Sequence, residues 1–293
     1  MPHDPMASFL PFDAPSPLEY FATLVAEDPG FPLLEAAVSV AQDEYPDLDV
    51  LSVLEEVDGF GERLRRRVPA DASPMQRLHL LRHGFFEELG FGGNVNDYYA
   101  ASNSYLPDVL RTRRGLPITL ALLLVELAGQ VGLKAAGVSF PGHFLVRIAL
   151  PRGEVVIDPF TGESLSRDEL VDRLQPHLRP QGLAGEAQAL LGAYLQAAPA
   201  REVMARLLRN LKALHASSGD WRRLLAVQER LVILLPDDWS ERRDRGLALA
   251  ELGRREQAEP DLAAYVLHRP DADDAHALRL RLASWRSGRP HLH

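Results

Sequence analysis

From Ile118 to Val131 the chain is apolar on nearly every side of a helix. A helix without a polar face has to be buried, so this segment is the centre around which the rest packs. Pro117 stands at its first turn, where a fixed φ suits a helix and the lost N–H would have had no partner. Gly115, two residues earlier, lets the backbone turn tightly into a buried element. Upstream, helical apolar spacing runs over Ser16 to Ala26, Phe31 to Tyr45, Leu48 to Val68 and Pro74 to Leu89. Asp28-Pro29-Gly30 separates the first two, and Ser73 with Pro74 forms a cap and first position for the fourth. These helices read as a layer covering the apolar one. Gly90 to Tyr105, rich in Gly, Asn and Tyr, reads as an ordered loop whose Tyr98, Tyr99 and Tyr105 are candidates for a pocket rim. Downstream, Ala136 to Ile157 is β-rich, with a turn placed at Arg152-Gly153. That helix-strand-strand order predicts an α+β domain with antiparallel pairing.

At 293 residues the chain exceeds a usual single domain. After a loop with Pro176, Pro180 and Gly182 the composition shifts to Ala, Leu and Arg in helical pattern. Two stretches there recur at 34 residues, aligning Gly219 with Gly253, Leu231 with Tyr265, Pro236 with Pro270 and Asp237 with Asp271. A glycine between paired helices and a proline closing the second, at that period, is the tetratricopeptide pattern. Such units bury their faces on one another, so a flanking helix at Gln188 to Gln196 or the preceding domain has to complete the stack. The expected division is a core over 1–182 and a separable all-α helical-repeat domain over 188–293. Arrays of this kind usually present a shallow concave surface to a protein or peptide, which is the partner class expected here.

A net charge of −9 argues against general nucleic-acid binding, which needs a basic face for the phosphates. The basic runs at Arg63 to Arg67 and Arg111 to Arg114 are local; the first suits a helix C-terminus, and the second either lines a cleft or is plain surface. No stretch reaches the roughly 18 continuous apolar residues of a membrane span. Met1 to Pro17 is acidic and proline-rich, unlike a secretory signal, so a cytoplasmic location is expected. His79 and His83 share a helical face but lack a third ligand at a defined spacing, so no metal and no other cofactor is expected.

Arg113-Arg114-Gly115-Leu116-Pro117-Ile118-Thr119, then Pro141-Gly142-His143-Phe144, then Val156-Ile157-Asp158-Pro159 form an ordered set of motifs. The set resembles the transglutaminase-like superfamily, whose papain-like core opens a buried helix with Gly-x-Cys, starts a strand with His and ends the next with Asp-Pro. It resembles more closely the SirB-type bacterial regulator family, which carries Asn-Ser-Tyr-Leu before this frame, here Asn103 to Leu106, and often ends in tetratricopeptide repeats. The resemblance spans about Pro32 to Leu174. It implies a base at His143 and an orienting carboxylate at Asp158, with Asn103, Ser104, Tyr105, Arg114, Gly115 and Thr119 around the site. The nucleophile position falls on Pro117, which has no reactive atom, and the chain contains no cysteine. A thiolate beside a helix N-terminus is the nucleophile such a frame serves. Thr119, two residues on, points about 200° round the helix from Pro117. Ser102, Ser104 and Ser139 are near the motifs but are residue types that usually cap or turn a loop.

Two functions stay open. One is a non-catalytic interaction or regulatory module; the other is a hydrolase or acyl transferase in which His143 and Asp158 serve a serine, a substrate hydroxyl or a water. With the turn at Arg152-Gly153, strand counting sets Asp158 opposite Arg147, diagonal to His143 on one sheet face. The family resemblance nevertheless places His143 and Asp158 in hydrogen-bonded contact.

Overall fold

The computed structural model describes residues 15–27 and 30–287. Most of the Met1 to Pro17 stretch and the Asp28-Pro29 break lie outside the described residues. Helices α1 (Pro17–Leu24), α2 (Leu33–Ser39), α3 (Val50–Arg65) and α4 (Pro74–Arg82) come first. Three of them start as their residues dictate. Ser16 with Glu19 and Ser73 with Gln76 form capping boxes ahead of a proline at the first position, and Asp49 caps α3. The helix expected to run unbroken to Leu89 instead ends in a π-helical turn over His83–Glu88. A two-residue strand β1 (Gly92–Gly93) precedes α5 (Leu106–Thr112), strand β2 (Arg114–Gly115) and the apolar helix α6 (Pro117–Gln130).

Strands β3 (Lys134–Val138), β4 (Leu145–Leu150), β5 (Gly153–Ile157) and β6 (Ser164–Leu165) make an antiparallel sheet in chain order. Alternation along the strands sends side chains to two different cores. Phe144, Val146, Ile148 and Ile157 face the cluster built around α6, while Val138, Leu145 and Val156 face the opposite way. Helices α7 (Arg167–Leu178) and α8 (Ala187–Tyr194) cover that second face with Leu170, Leu174, Leu178 and Leu191. The α+β core expected from the sequence is therefore present, with the sheet sandwiched between helices.

The β4–β5 register pairs Val146 with Ile157 and Leu150 with Gly153, so the turn is Pro151-Arg152 and not Arg152-Gly153. Proline at the second and glycine at the fourth position of a tight turn explain this placement. The correction sets Asp158 two residues nearer to His143 along the ladder than the sequence count did.

Five helices follow: α9 (Ala200–Ser218), α10 (Trp221–Leu234), α11 (Trp239–Glu251), α12 (Arg255–His268) and α13 (Ala275–Ser287). The 34-residue recurrence is geometric as well as sequential. Helices α10 and α12 have equal length 34 positions apart, and the residues that close them, Leu235 and Arg269, share nearly one conformation, at φ −126°, ψ 68° and φ −129°, ψ 60°. Gly219 and Gly253 before them take positive φ of 68° and 76°. Helix α11 approaches α12 closely at Gly246, where a Cβ would stand 2.8 Å from Leu262.

Two packing details differ from the expected division at 182/188. Helix α8, one of the two covers expected for the repeat stack, packs on α7 and the sheet instead, because the sheet's outer apolar positions need a cover, and the preceding domain supplies the other. Helices α9 and α10 contribute Val203, Met204, Leu207, Leu208, Leu211, Leu231 and Leu234 to the same cluster as α1, α2 and α6. Arg201 ties the seam by donating to the carbonyls of Leu234 and Val25, at 2.7 and 3.0 Å.

Candidate functional site

His143 stands on a turn closed by its own N–H donating to the Phe140 carbonyl at 3.0 Å, with Gly142 at φ +70°. A side chain at residue 142 would also press on His177 of α7, whose ring lies 3.0 Å from the Cβ position. Asp158 follows β5 in a tight loop held by Asp158 N–H to the Glu163 carbonyl (2.9 Å) and Gly162 N–H to the Asp158 carbonyl (2.8 Å). His143 Nε2 lies 2.8 Å from Asp158 Oδ1. A carboxylate only accepts, so Nε2 carries the proton. Phe160 N–H also donates to Oδ1 at 3.0 Å, and Arg173 of α7 donates to Oδ2 at 2.9 Å. Burial alone would raise the Asp158 carboxyl, but the hydrogen bonds from His143 and Arg173, with the imidazole's charge and the Phe160 amide, bring it down to about 2. It is a fixed anion at any physiological pH. No group among the described residues is hydrogen bonded to His143 Nδ1, and a quarter of the side chain (25%) is exposed. An imidazole held at one nitrogen and open at the other can take a proton from a thiol, hydroxyl or water.

The first motif is tied to the third by backbone. Gly93 N–H donates to the Phe160 carbonyl at 2.8 Å, and β1 pairs in parallel with β2, Gly93 beside Gly115. The start of α6 thus shares a scaffold with the Asp158 loop. Pro117, at the first helical position, is buried. The Thr119 hydroxyl, fully buried, donates to the carbonyls of Asn103 (2.8 Å) and Leu116 (3.0 Å). Gly115 is required by contact: a Cβ there would meet Thr119 Oγ1 at 2.7 Å and Val109 at 3.1 Å.

The remaining sequence candidates are scattered by role. Asn103 is buried and organises the loop before it, donating to the carbonyls of Asp97 and Tyr98 at 2.7 and 3.0 Å. Its own carbonyl accepts the Leu116 N–H at 3.1 Å. Tyr105 is buried against α9, its hydroxyl 3.3 Å from His215 Nε2, and burial pushes that hydroxyl's pKa up. Ser139 Oγ accepts from Arg206 of α9 at 2.9 Å. Arg114 donates to the Gly90 carbonyl at 2.6 Å, and Arg113 lies over the Phe60 and Phe91 rings, so neither guanidinium reaches the dyad. Ser104, Leu116, Tyr98 and Tyr99 line a 340 Å³ cavity whose other wall is α9; Ser102 lines a neighbouring one of 560 Å³. His83 pairs with Glu87 and Glu88, and among the described residues no group of three acidic or histidine side chains could hold a metal.

Sequence reasoning missed Arg173 and Arg206. Arg173 lies on a polar-faced helix whose docking on the sheet no short motif encodes. Arg206 comes from a helix assigned to the other half of the chain.

This arrangement, a buried central helix followed by a sheet bearing His and Asp and then by paired helices, defines a transglutaminase-like core joined to tetratricopeptide repeats. The comparisons agree: the transglutaminase-like superfamily model matches residues 51–209 and a tetratricopeptide-repeat model residues 211–283. A UPF0162 protein of Xylella fastidiosa strain 9a5c is 36% identical over 268 residues, covering 91% of this chain and 94% of the relative. A UPF0162 protein of Pseudomonas aeruginosa is 34% identical over 70% of this chain and 72% of its own length. UPF0162 protein YchA of Escherichia coli K12 is 29% identical over 84% of this chain and 88% of its own length. The chain belongs to the transglutaminase-like superfamily and, within it, to the UPF0162 proteins. No solved structure matches it.

Proposed function

We propose that the chain is a non-catalytic, transglutaminase-like interaction module of the SirB type, acting in the cytoplasm and engaging a partner protein through its helical repeats. The observation that carries this reading is Pro117, a residue with no reactive atom at the nucleophile position of a chain without cysteine. Two further points support it. Thr119 and Ser139, two of the hydroxyls near the motifs, are engaged by carbonyls and by Arg206. Repeat pairs of this kind generally mediate protein–protein contact, and here α12 and α13 expose Leu267 (75%) and Leu280 (61%). Among the described residues no helix is long and apolar enough to cross a membrane.

The test is affinity capture with the full chain, repeated with Leu267→Arg and Leu280→Arg. The reading expects a partner retained by the wild type and lost by the variants; equal recovery by all three would overturn it. A second reading rests on the His143–Asp158 contact: a hydrolase or acyl transferase in which His143 Nδ1 deprotonates a hydroxyl or a water. Substrate turnover abolished by His143→Ala would favour it.

A further inference from the structure

We propose that the seam between the 98–105 loop and α9 is a docking groove for an extended partner segment that places a bulky apolar side chain beside a lysine or arginine. The inference rests on the reading of the chain as an interaction module, and it uses a surface away from the exposed leucines of α12 and α13.

Two cavities meet on this seam and share Tyr99 and Leu214 as common walls. The first, 340 Å³, is walled by Tyr98, Tyr99, Leu116 and Leu214, with Ser104, Asn210 and Ser217 as polar groups and no charged residue in its lining. That composition and size suit one apolar or aromatic side chain with a backbone amide beside it. The second, 560 Å³, has the opposite character: Glu44, Asp108 and Asp220 line it against a single guanidinium, Arg223. Arg223 is shared between Glu44 and Asp220, and Arg111 pairs with Asp108 at 2.6 Å. Three carboxylates against two guanidiniums leave an excess of negative charge, and His215 at the back adds none, since burial favours its neutral form. A cationic side chain complements that lining, and the chain's overall charge of −9 favours its approach.

The surface between the cavities is built for contact. Tyr99, which walls both cavities, is 81% exposed, and Tyr98 beside it is 45% exposed. Adjacent aromatic exposures of this kind mark binding surfaces, because such rings bury much area with little loss of freedom. Asn103 holds the carbonyls of Asp97 and Tyr98, so the loop is organised before anything binds. Across the groove α9 presents the small residues Ala213 and Ser217, which leave room for a backbone. Neighbouring residues of an extended segment advance about 3.3 Å each, so consecutive side chains can reach both sides of the shared wall.

The experiment titrates the full chain into a fluorescein-labelled, end-capped peptide of sequence Gly-Trp-Lys-Arg-Gly at low salt, and into the same peptide with both basic residues replaced by glutamate. Fluorescence anisotropy should give about tenfold tighter binding of the basic peptide, weakening as salt is added. Ala213→Trp, which fills the apolar cavity, should weaken binding at least about tenfold. Asp220→Asn removes one charge yet keeps a side chain able to cap α10, and should weaken it about fivefold. If Ala213→Trp melts before the wild type, Tyr99→Ala serves in its place, since that ring is largely exposed. Equal affinity for the two peptides, or full affinity in the variants, overturns the proposal, as does self-association through this face without peptide. Leu267→Arg should leave the titration unchanged, so failure here and failure of the repeat-mediated reading are told apart.

Discussion

The start of α6 and the His143–Asp158 pair belong to one motif frame but have been treated in opposite ways. At the helix start the named groups turn inward: Leu116 N–H and Thr119 Oγ1 both go to the Asn103 carbonyl, and Pro117 has no N–H to offer. At the pair, Asp158 accepts three hydrogen bonds, while no group among the described residues is hydrogen bonded to His143 Nδ1. The difference shows how the second half can persist when the first has no chemistry. Asp158 joins the turn before β4, the loop after β5 and helix α7 in one cluster of hydrogen bonds. Removing it would unfasten three elements, so packing alone is a sufficient reason to keep it.

The largest expected effect comes from removing what seals the helix start. A chain cut after Leu195 loses α9 and α10 and strips Val203, Leu207, Leu208 and Leu211 from a shared cluster. We expect no cooperative melting transition from that fragment by circular dichroism. A fragment that melts like the whole chain would show that α6 needs no cover from the repeats and would support the division at 182/188. Next in size, Gly115→Val forces its side chain into Thr119 and Val109, and urea denaturation should show a loss of about 3 kcal/mol.

The same contrast explains what was legible in the sequence. The centre of the fold was readable because α6 is apolar all round, and the repeats because a period survives any uncertainty in single residues. His143 and Asp158 lie in hydrogen-bonded contact, as the resemblance implies, but the strand register differs by two residues from the expected one. Gly153 drew the turn one residue late, although Pro151 is the stronger signal. Between the two covers open to the repeat stack the sequence could not choose, because the partners of α8, Val138, Leu145 and Val156, lie on strands far earlier in the chain and local pattern carries no address. Arg173 was illegible on the same ground.

A third, smaller effect separates the charged half of the frame from the sealed half by pH. The folded carboxyl of Asp158 sits at about 2, against about 3.9 when unfolded. A depressed folded value means the unfolded chain binds the proton first, so the contribution is full above about pH 5 and drains away as pH falls toward 2. It amounts to roughly 2–3 kcal/mol. Asp158→Asn should start less stable at neutral pH and lose about that much less than wild type between pH 5 and 2. Parallel stability curves for the two proteins would mean the His143–Asp158–Arg173 cluster contributes little.

The smallest expected effect is that of Pro117→Cys, and it is the sharpest probe of the comparison. Cysteine gives up the ring's restriction on the unfolded chain, which costs no more than about 1 kcal/mol. The new thiol would stand at a helix N-terminus in a motif frame that still holds an imidazole. Yet an efficient thiolate also needs oxyanion donors and walls that fit a substrate, worth factors of about a hundred to a thousand each. At the start of α6 the nearest hydroxyl is committed to two carbonyls, and the cavity beside Leu116 is walled by α9. We therefore expect neither the native protein nor Pro117→Cys to couple a fluorescent amine to glutamine-bearing casein above the rate in buffer. The wild type should also cleave no thiol-protease substrate. Turnover by the variant that disappears in Pro117→Cys with His143→Ala would mean the frame had kept everything but its sulfur, and the sealed half of the comparison would have to be read as a single lost atom.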